Sequence, residues 1–472
     1  LATKIIEKLK IGVLWSIIEV IVKRSLDFVV KLILARLLFP EEFGIVGMAT
    51  VFTSFVQVIN DAGMGPAIVQ KKNVSEKLLN TVFWSNLVWS LVLFLVLSFV
   101  LAPLAATFYN QPILVKIVPV LSFSILTSAL NTVHFSLLRR DLNFKKIAFV
   151  RNTSSFVAGA IAVLMAFYGY GVWALVANSI VAYLISVPLF YTITKWKPQL
   201  EWDKKILKEV LSFGVFITGS KIVLNLASNA DYLLIGKIEG SEAVGIYTLA
   251  FMMTSLVMGQ ITTMLDTVMF PFYSKMQDDF EKLKRYYLIL IGYYTLIIYP
   301  IMITLFLFTN EIVEFFFGIK WIYAVVPIKI LSISVMVNIL TSGYGLLLRS
   351  IGKPDREFRI QRITSLFVYM PCLTLGVYLY GTVGAAMGGL LASIFNFFIL
   401  QYVLNSYFQI KLHNIYGQTH KVIWYCVFLV FFVYCLNLFI TNKYFIFSIY
   451  TIVLLGGFIL LFRSRFLRLL RN

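Results

Sequence analysis

The chain has 472 residues, of which 60% are hydrophobic, 16% aromatic and only 13% charged, with a mean hydropathy of +0.87. Soluble domains are about 45–50% apolar and about 25% charged, so this composition excludes a soluble enzyme and specifies a helical protein that crosses a membrane many times. The formal net charge of +19 does not point to nucleic acid, because the Lys and Arg residues fall in short clusters between apolar segments, as in cytoplasmic loops.

Fourteen hydrophobic segments of spanning length follow one another. Six lie near 11–34, 43–60, 79–102, 113–138, 147–168 and 172–193, and the most polar stretch, Lys195 to Glu209, comes next. Six more lie near 210–235, 243–270, 286–308, 322–348, 358–380 and 383–407, and a last pair near 422–440 and 444–462. The pattern predicts an all-α polytopic fold with 6 + 6 + 2 spans. Its parts are an N-terminal six-helix lobe (1–194), a cytoplasmic linker (195–209), a C-terminal six-helix lobe (210–408) and two extra helices with a basic tail (409–472). The first apolar segment is too long and too charged for a signal-peptide core, and is expected to stay as span 1. Alternate connections carry the cations, among them Lys71, Lys72 and Lys77, then Arg139, Arg140, Lys145 and Lys146, then Lys204, Lys205 and Lys208. With an even number of spans, this bias places both termini in the cytoplasm.

Span 1 carries Glu19, Lys23, Asp27 and Lys31 at successive i,i+4 positions, on one helical face, with Arg24 beside them. Each charge at a bilayer centre costs ~2.5–3.5 kcal/mol on the insertion scale, so the group must face protein or a water-filled cavity. Two readings follow: ion pairs that only hold helices together, or the wall of a transport pathway. The second is favoured, since ionisable residues inside a membrane are functional by default. In span 7, Lys221, Asn225, Ser228 and Tyr232 again share a face, with Asn229 and Asp231 nearby. Interhelical hydrogen bonding is the plainer reading of Asn and Ser there, and Lys221 is harder to explain so. Together the two faces hold four cations (Lys23, Arg24, Lys31, Lys221) and three anions (Glu19, Asp27, Asp231), a mixed and slightly basic set suited to an anionic head group.

Span 1 runs into ARLLFPEEFGIVGMA (Ala35 to Ala49), and the same layout returns 201 residues later as GKIEGSEAVGIYTLA (Gly236 to Ala250). Arg36 matches Lys237, Glu41 matches Glu242, Gly44 matches Gly245 and Ala49 matches Ala250. Further on, Leu137-Leu138-Arg139 matches Leu347-Leu348-Arg349, and Tyr170-Gly171 matches Tyr380-Gly381, both shifted by 210. The chain is therefore mostly two copies of one unit. With six spans each, the copies run in parallel topology about an axis along the membrane normal, and the cavity is expected between them. Asp61 and Asp266 end spans 2 and 8 in matching positions, each five residues before a proline. They are candidate ion-coupling acids; helix capping or pairing with loop lysines is the alternative.

His134 stands alone in an apolar span and reads as a packing residue. The three cysteines, Cys372, Cys426 and Cys435, give no disulfide framework or metal-ligand spacing. No HExxH, GxSxG or P-loop pattern is present, so the sequence indicates no metal, no cofactor and no enzyme.

The segment LARLLFPEEFGIVGMATVFTSFVQVINDAGMGPAIVQKKNVSEKLLNTVFWSN (Leu34 to Asn86) resembles bacterial polysaccharide exporters of the Wzx type, in the multidrug/oligosaccharidyl-lipid/polysaccharide flippase superfamily. LLRRDLNFKKIAFVRN (Leu137 to Asn152) and YGYGVWALVA (Tyr168 to Ala177) resemble the same family, most nearly its colanic acid and teichuronic acid exporters. The resemblance covers spans 1 to 12. It implies a V-shaped pair of six-helix lobes that works by alternating access in the bacterial cytoplasmic membrane. It further implies an undecaprenyl-diphosphate-linked oligosaccharide as substrate, with the lipid tail left among the membrane lipids. A polysaccharide polymerase and chain-length machinery are the candidate protein partners. A flippase for the lipid-linked peptidoglycan precursor is the near alternative. An ion-coupled small-molecule antiporter would call for an acidic cavity, and a membrane-embedded polymerase or glycosyltransferase for a large soluble loop that this chain lacks.

Overall fold

In a chain this apolar almost every segment can be helical, so the breaks between helices define the architecture. The computed structural model describes the backbone of residues 2–60, 64–71, 73–210, 225 and 228–471; side chains are described for these except at 2–14, 16–17, 256–257, 260, 263–265, 267–268 and 464–471. The first half contains α1 (Ala2–Leu37), α2 (Pro40–Asn60), α3 (Met64–Gln70), α4 (Glu76–Val96), α5 (Ala102–Tyr109), α6 (Leu114–Arg140), α7 (Phe144–Phe167) and α8 (Val172–Thr194). Then come α9 (Ala230–Ile238), α10 (Ser241–Ser274), α11 (Phe280–Leu307), α12 (Thr309–Phe316), α13 (Val325–Ile339), α14 (Tyr344–Ser350) and α15 (Pro354–Thr364). The last three are α16 (Met370–Phe408), α17 (Leu412–Phe439) and α18 (Lys443–Arg471). No strand occurs among the described residues, where ten helical stretches are long and apolar enough to cross a membrane. This is a multi-span, all-helical membrane protein. The chain divides into two compact units, Leu1–Gly245 and Ile246–Asn472.

The sequence repeat reappears as backbone geometry. Gly171, before α8, has φ 55° and ψ −129°; Gly381, 210 residues later, breaks α16 with φ 56° and ψ −132°. Only glycine adopts this conformation readily, so the same residue precedes the same helical arm in each copy. Leu142 and Gly352 form a second matched pair, with φ 56° and 71°, and each is followed by an amide that reaches back over the helix end. The Asn143 amide donates to the Leu138 carbonyl and the Lys353 amide to the Leu348 carbonyl, both at 2.9 Å.

In the second unit the break at Gly381 folds α16 into two antiparallel arms that touch through glycine. A Cβ at Gly384 would collide with the Gly376 carbonyl, and one at Gly376 with the Gly384 carbonyl. Small residues at matched positions let helix backbones approach where lipid offers no hydrophobic drive for association. The final helices pack on α11: Tyr450 and Thr304 share a hydrogen bond of 2.9 Å, and the Phe308 ring lies 5.0 Å from the Tyr450 ring.

The polar stretch after α8 is docked along α4. The Trp196 indole donates to Glu76 Oε2 at 2.9 Å, the Gln199 amide to Asn80 Oδ1 at 2.9 Å, and the Trp84 indole to the Gln199 carbonyl at 2.7 Å. Asp203 pairs with Lys77 at 2.8 Å and accepts from the Lys205 and Ile206 amides. The Lys77 ammonium, helped by those two amides, holds the half-buried Asp203 carboxyl down at about 2. His134 is fully buried here, its Nδ1 2.6 Å from the Thr194 hydroxyl and its ring tilted against Tyr191 with the ring centres 3.9 Å apart, a packing role.

Candidate functional site

The i,i+4 spacing of span 1 places its ionisable residues along one side of α1, and that side meets α7. Contact is close: a Cβ at Gly159 would press into the Val30 side chain. The first unit contains a cavity of about 570 Å³ walled by α1, α3, α6, α7 and α8. Lys23, Asp27 and Lys31 of α1 line it, with Arg139 from the end of α6 and Arg151 from α7. The remaining polar wall is uncharged: Ser128, Asn131, Thr132 and Ser136 of α6, Ser154 and Ser155 of α7, and Asn178, Ser179 and Ser186 of α8. Four cations to one carboxylate make the cavity basic, and ten hydroxyl or amide side chains, Tyr183 of α8 among them, supply neutral donors and acceptors.

Glu19 is buried and pairs with Arg151 at 3.1 Å. The Arg151 guanidinium also lies over the Phe135 ring, 5.0 Å from its centre, so one side chain joins α1, α6 and α7. Asn131 donates to the Ser186 hydroxyl at 2.7 Å and so ties α6 to α8. Its Oδ1 and the Ser154 hydroxyl are buried without a partner among the described residues, and both side chains line the cavity. Such groups are costly unless something satisfies them. The cavity can therefore hold an oxyanion against Lys and Arg while hydrogen-bonding a hydroxyl-rich neighbour.

Of the residues singled out in sequence, the structure brings Lys23, Asp27 and Lys31 together in this cavity and sets Glu19 against it through Arg151. Arg24 is exposed and is not part of the wall. Of the face expected on span 7, the described residues make contacts near the start of α9. The Ser228 hydroxyl and the Asn229 amide donate to the Asn225 carbonyl at 3.0 and 2.8 Å. Asp231 is buried and accepts from the Tyr232 amide at 2.9 Å. Lys221 and Asp61 lie outside the described residues. Asp266 belongs to the second unit, where the Tyr294 hydroxyl donates to its Oδ1 at 2.7 Å. Arg139 and Arg151 are not among the site residues read from sequence; both lie in segments that carry the family resemblance, and Arg139 also in the repeat.

Residues 33–326 match the model of a family described as polysaccharide biosynthesis proteins. The chain belongs to that family. Among curated members, the lipopolysaccharide biosynthesis protein WzxC of Escherichia coli is 25% identical over 404 residues, 84% of this chain and 81% of its own. The teichuronic acid biosynthesis protein TuaB of Bacillus subtilis is 29% identical over 74% of this chain and 72% of its own. The succinoglycan biosynthesis transport protein ExoT of Rhizobium meliloti is 28% identical over 68% and 65%. Among solved structures, the lipid II flippase MurJ in an inward closed conformation covers 98% of this chain and 100% of its own, with a TM-score of 0.75 at 17% identity. At that identity the likeness establishes the fold alone.

Proposed function

We propose that the chain is a flippase that carries an undecaprenyl-diphosphate-linked oligosaccharide across the bacterial cytoplasmic membrane, by alternating access, for the synthesis of a surface polysaccharide. The observation that carries this reading is the basic cavity of the first unit, in a chain whose family makes polysaccharides. Lys23, Lys31, Arg139 and Arg151 suit diphosphate oxygens, since guanidinium and ammonium groups give charge-assisted hydrogen bonds to phosphate. The Ser, Thr and Asn side chains suit sugar hydroxyls. The role is transport without chemistry on the substrate. MurJ's likeness is one of fold, so it does not favour the peptidoglycan precursor as cargo.

Deleting the gene in its native host is the direct test. Lipid-linked repeat units are expected to accumulate while one surface polymer disappears, and the accumulated sugars identify the cargo. Unchanged polymer with no accumulation, and new sensitivity to cationic toxic compounds, would replace the flippase with an antiporter. The orientation is tested separately, because both termini are placed in the cytoplasm by loop charge alone. A cysteine introduced at Glu239 should react with an impermeant maleimide from outside, and one at Lys204 should not; the opposite pattern would invert the topology.

A further inference from the structure

In the segment 195–210, after α8, every acid is engaged by a neighbour and every lysine is left exposed. Glu201 accepts from the Asn80 amide at 3.3 Å, Asp203 pairs with Lys77 of α4 at 2.8 Å, and Glu209 pairs with Lys71, just after α3, at 2.6 Å. Lys195, Lys197, Lys204, Lys205 and Lys208 have no ion-pair partner among the described residues. The last three form one patch. The described backbone is helical from 204 to 210, where Val210 joins a core with Ala67 and Ile68 of α3 and Leu78 and Val82 of α4, and Ile206 packs against it. At helical spacing, positions 204, 205 and 208 lie on the opposite side.

The middle of the segment is apolar and outward. Leu200 is 89% exposed and Trp202 53%, although the Trp202 indole donates to the Ser85 hydroxyl of α4 at 2.9 Å. Contacts of the segment thus run from Glu76 to Ser85, about 13 Å along α4. α4 and α5 belong to one helical stretch of 34 residues. Its length of about 51 Å exceeds a hydrocarbon core of about 30 Å, so its ends stand in the headgroup layers. The Glu76 end is on the side that loop charge assigns to the cytoplasm. Tryptophan favours that depth, and lysine keeps its charge in water there while its stem lies on apolar surface. We infer that the segment is a docking surface for anionic phospholipid headgroups, with Leu200 and Trp202 in the interfacial layer and Lys204, Lys205 and Lys208 on the phosphates. Lysines clustered beside a membrane span attract anionic lipid, each strengthening attachment by about fivefold. Retention of cations on the cytoplasmic side would by itself require neither the pairing of all three acids nor the apolar tip. The surface also reaches the cavity of the first unit, because α3 lies between them. Ala67 and Ile68 of α3 face the core shared with Ile206 and Val210, and its Gly65, Pro66 and Val69 line the cavity. Lipid bound on one side therefore steadies a cavity wall on the other. The inference does not depend on what the cavity carries.

The test reads the depth of position 200. Full-length protein carrying Leu200→Cys, with Cys372, Cys426 and Cys435 changed to alanine, is labelled with the fluorophore NBD. It is then reconstituted in vesicles of phosphatidylcholine alone, or of two parts phosphatidylcholine to one of phosphatidylglycerol. Quenching by phosphatidylcholine brominated on its acyl chains should be at least about twofold stronger in the anionic vesicles. That difference should disappear when Lys204→Gln, Lys205→Gln and Lys208→Gln are combined. It should also shrink in 1 M salt, where charges are screened beyond about 3 Å. Equal quenching in the two lipids, or a difference that survives the triple change, would overturn the docking of headgroups on these lysines. A probe quenched in neither lipid would place the tip in water and overturn the proposal as a whole. A second reading needs no label and keeps the native cysteines. Phosphatidylglycerol, binding the folded form, should raise the melting temperature of the unmodified protein more than that of the triple lysine variant. The same rise in both would assign the lipid to another surface.

Discussion

Replacing Arg151 with alanine is expected to cut export of the surface polymer at least about tenfold and to lower the yield of folded protein, and neutralising Arg151 and Glu19 together should return the protein to the membrane without returning the activity. The reasoning starts from burial. The Glu19 side chain is 11% exposed, and its ion-pair partner among the described residues is Arg151, itself 44% exposed. Removing one partner of a fully buried pair costs about 3–5 kcal/mol, because the other charge is left without compensation. Here water still reaches Arg151, so the cost is smaller, but enough to lower the yield of folded protein. Neutralising both partners, as in Glu19→Gln with Arg151→Gln, removes that penalty, and isosteric neutral pairs are often tolerated. Arg151 also lines the basic cavity, and charged hydrogen bonds contribute about 1.5–3 kcal/mol each, so losing one to the cargo weakens transport by between about ten- and a hundredfold. The double variant should therefore be as abundant as the wild type yet export-deficient, and Lys31→Ala, with no such ion pair to break among the described residues, should show the same defect. The measurement is membrane abundance and surface polymer in the same cells. Normal polymer from the double variant would reduce Arg151 to a structural tie.

The parts of this site that could be read from sequence were those on one helix. Lys23, Asp27 and Lys31 were visible because i,i+4 spacing fixes a face without any knowledge of neighbours. Arg151 was not, because its meaning depends on Glu19, 132 residues away, and no spacing rule reaches that far. Arg139 was read as one of several loop cations, and only the fold shows that the end of α6 opens into the cavity. The polar stretch at 195–209 looked like a linker by composition. Its partners on α4, Glu76, Asn80 and Trp84, stand at i,i+4 and could have suggested a docking ridge, but nothing in the sequence says what docks there. The repeat was the most legible feature. Its glycines mark backbone conformations that other residues resist, so Gly171 and Gly381 match in sequence and in torsion alike.

The same logic gives the second large effect, at the other matched glycines. Gly44→Val and Gly245→Val are each expected to deplete folded protein severely. A Cβ at Gly44 would collide with the Ser241 carbonyl, and one at Gly245 with the Pro40 carbonyl. Positions 40 and 241 are themselves 201 residues apart, as are 44 and 245, so the two copies of the exit stretch meet through a reciprocal contact. What obstructs the new carbon is backbone in both cases, which cannot rotate away as a side chain would. Overpacking a core costs about 1–3 kcal/mol when side chains can adjust; against a carbonyl the helices must separate, and at least about 3 kcal/mol is expected. Gly259→Ala is the control. It lies in α10, a Cβ there meets nothing within 4 Å, and alanine should be neutral or gain up to ~1 kcal/mol of helix propensity. Because the contact is shared, the Gly44→Val, Gly245→Val double variant should lose little more than either single one, the non-additivity of two changes that break one interface. Melting temperature and folded yield of the four proteins decide it. Two fully additive losses would mean that each glycine serves a separate contact, and a Gly44→Val protein as stable as the wild type would mean that the helices can part there at no cost.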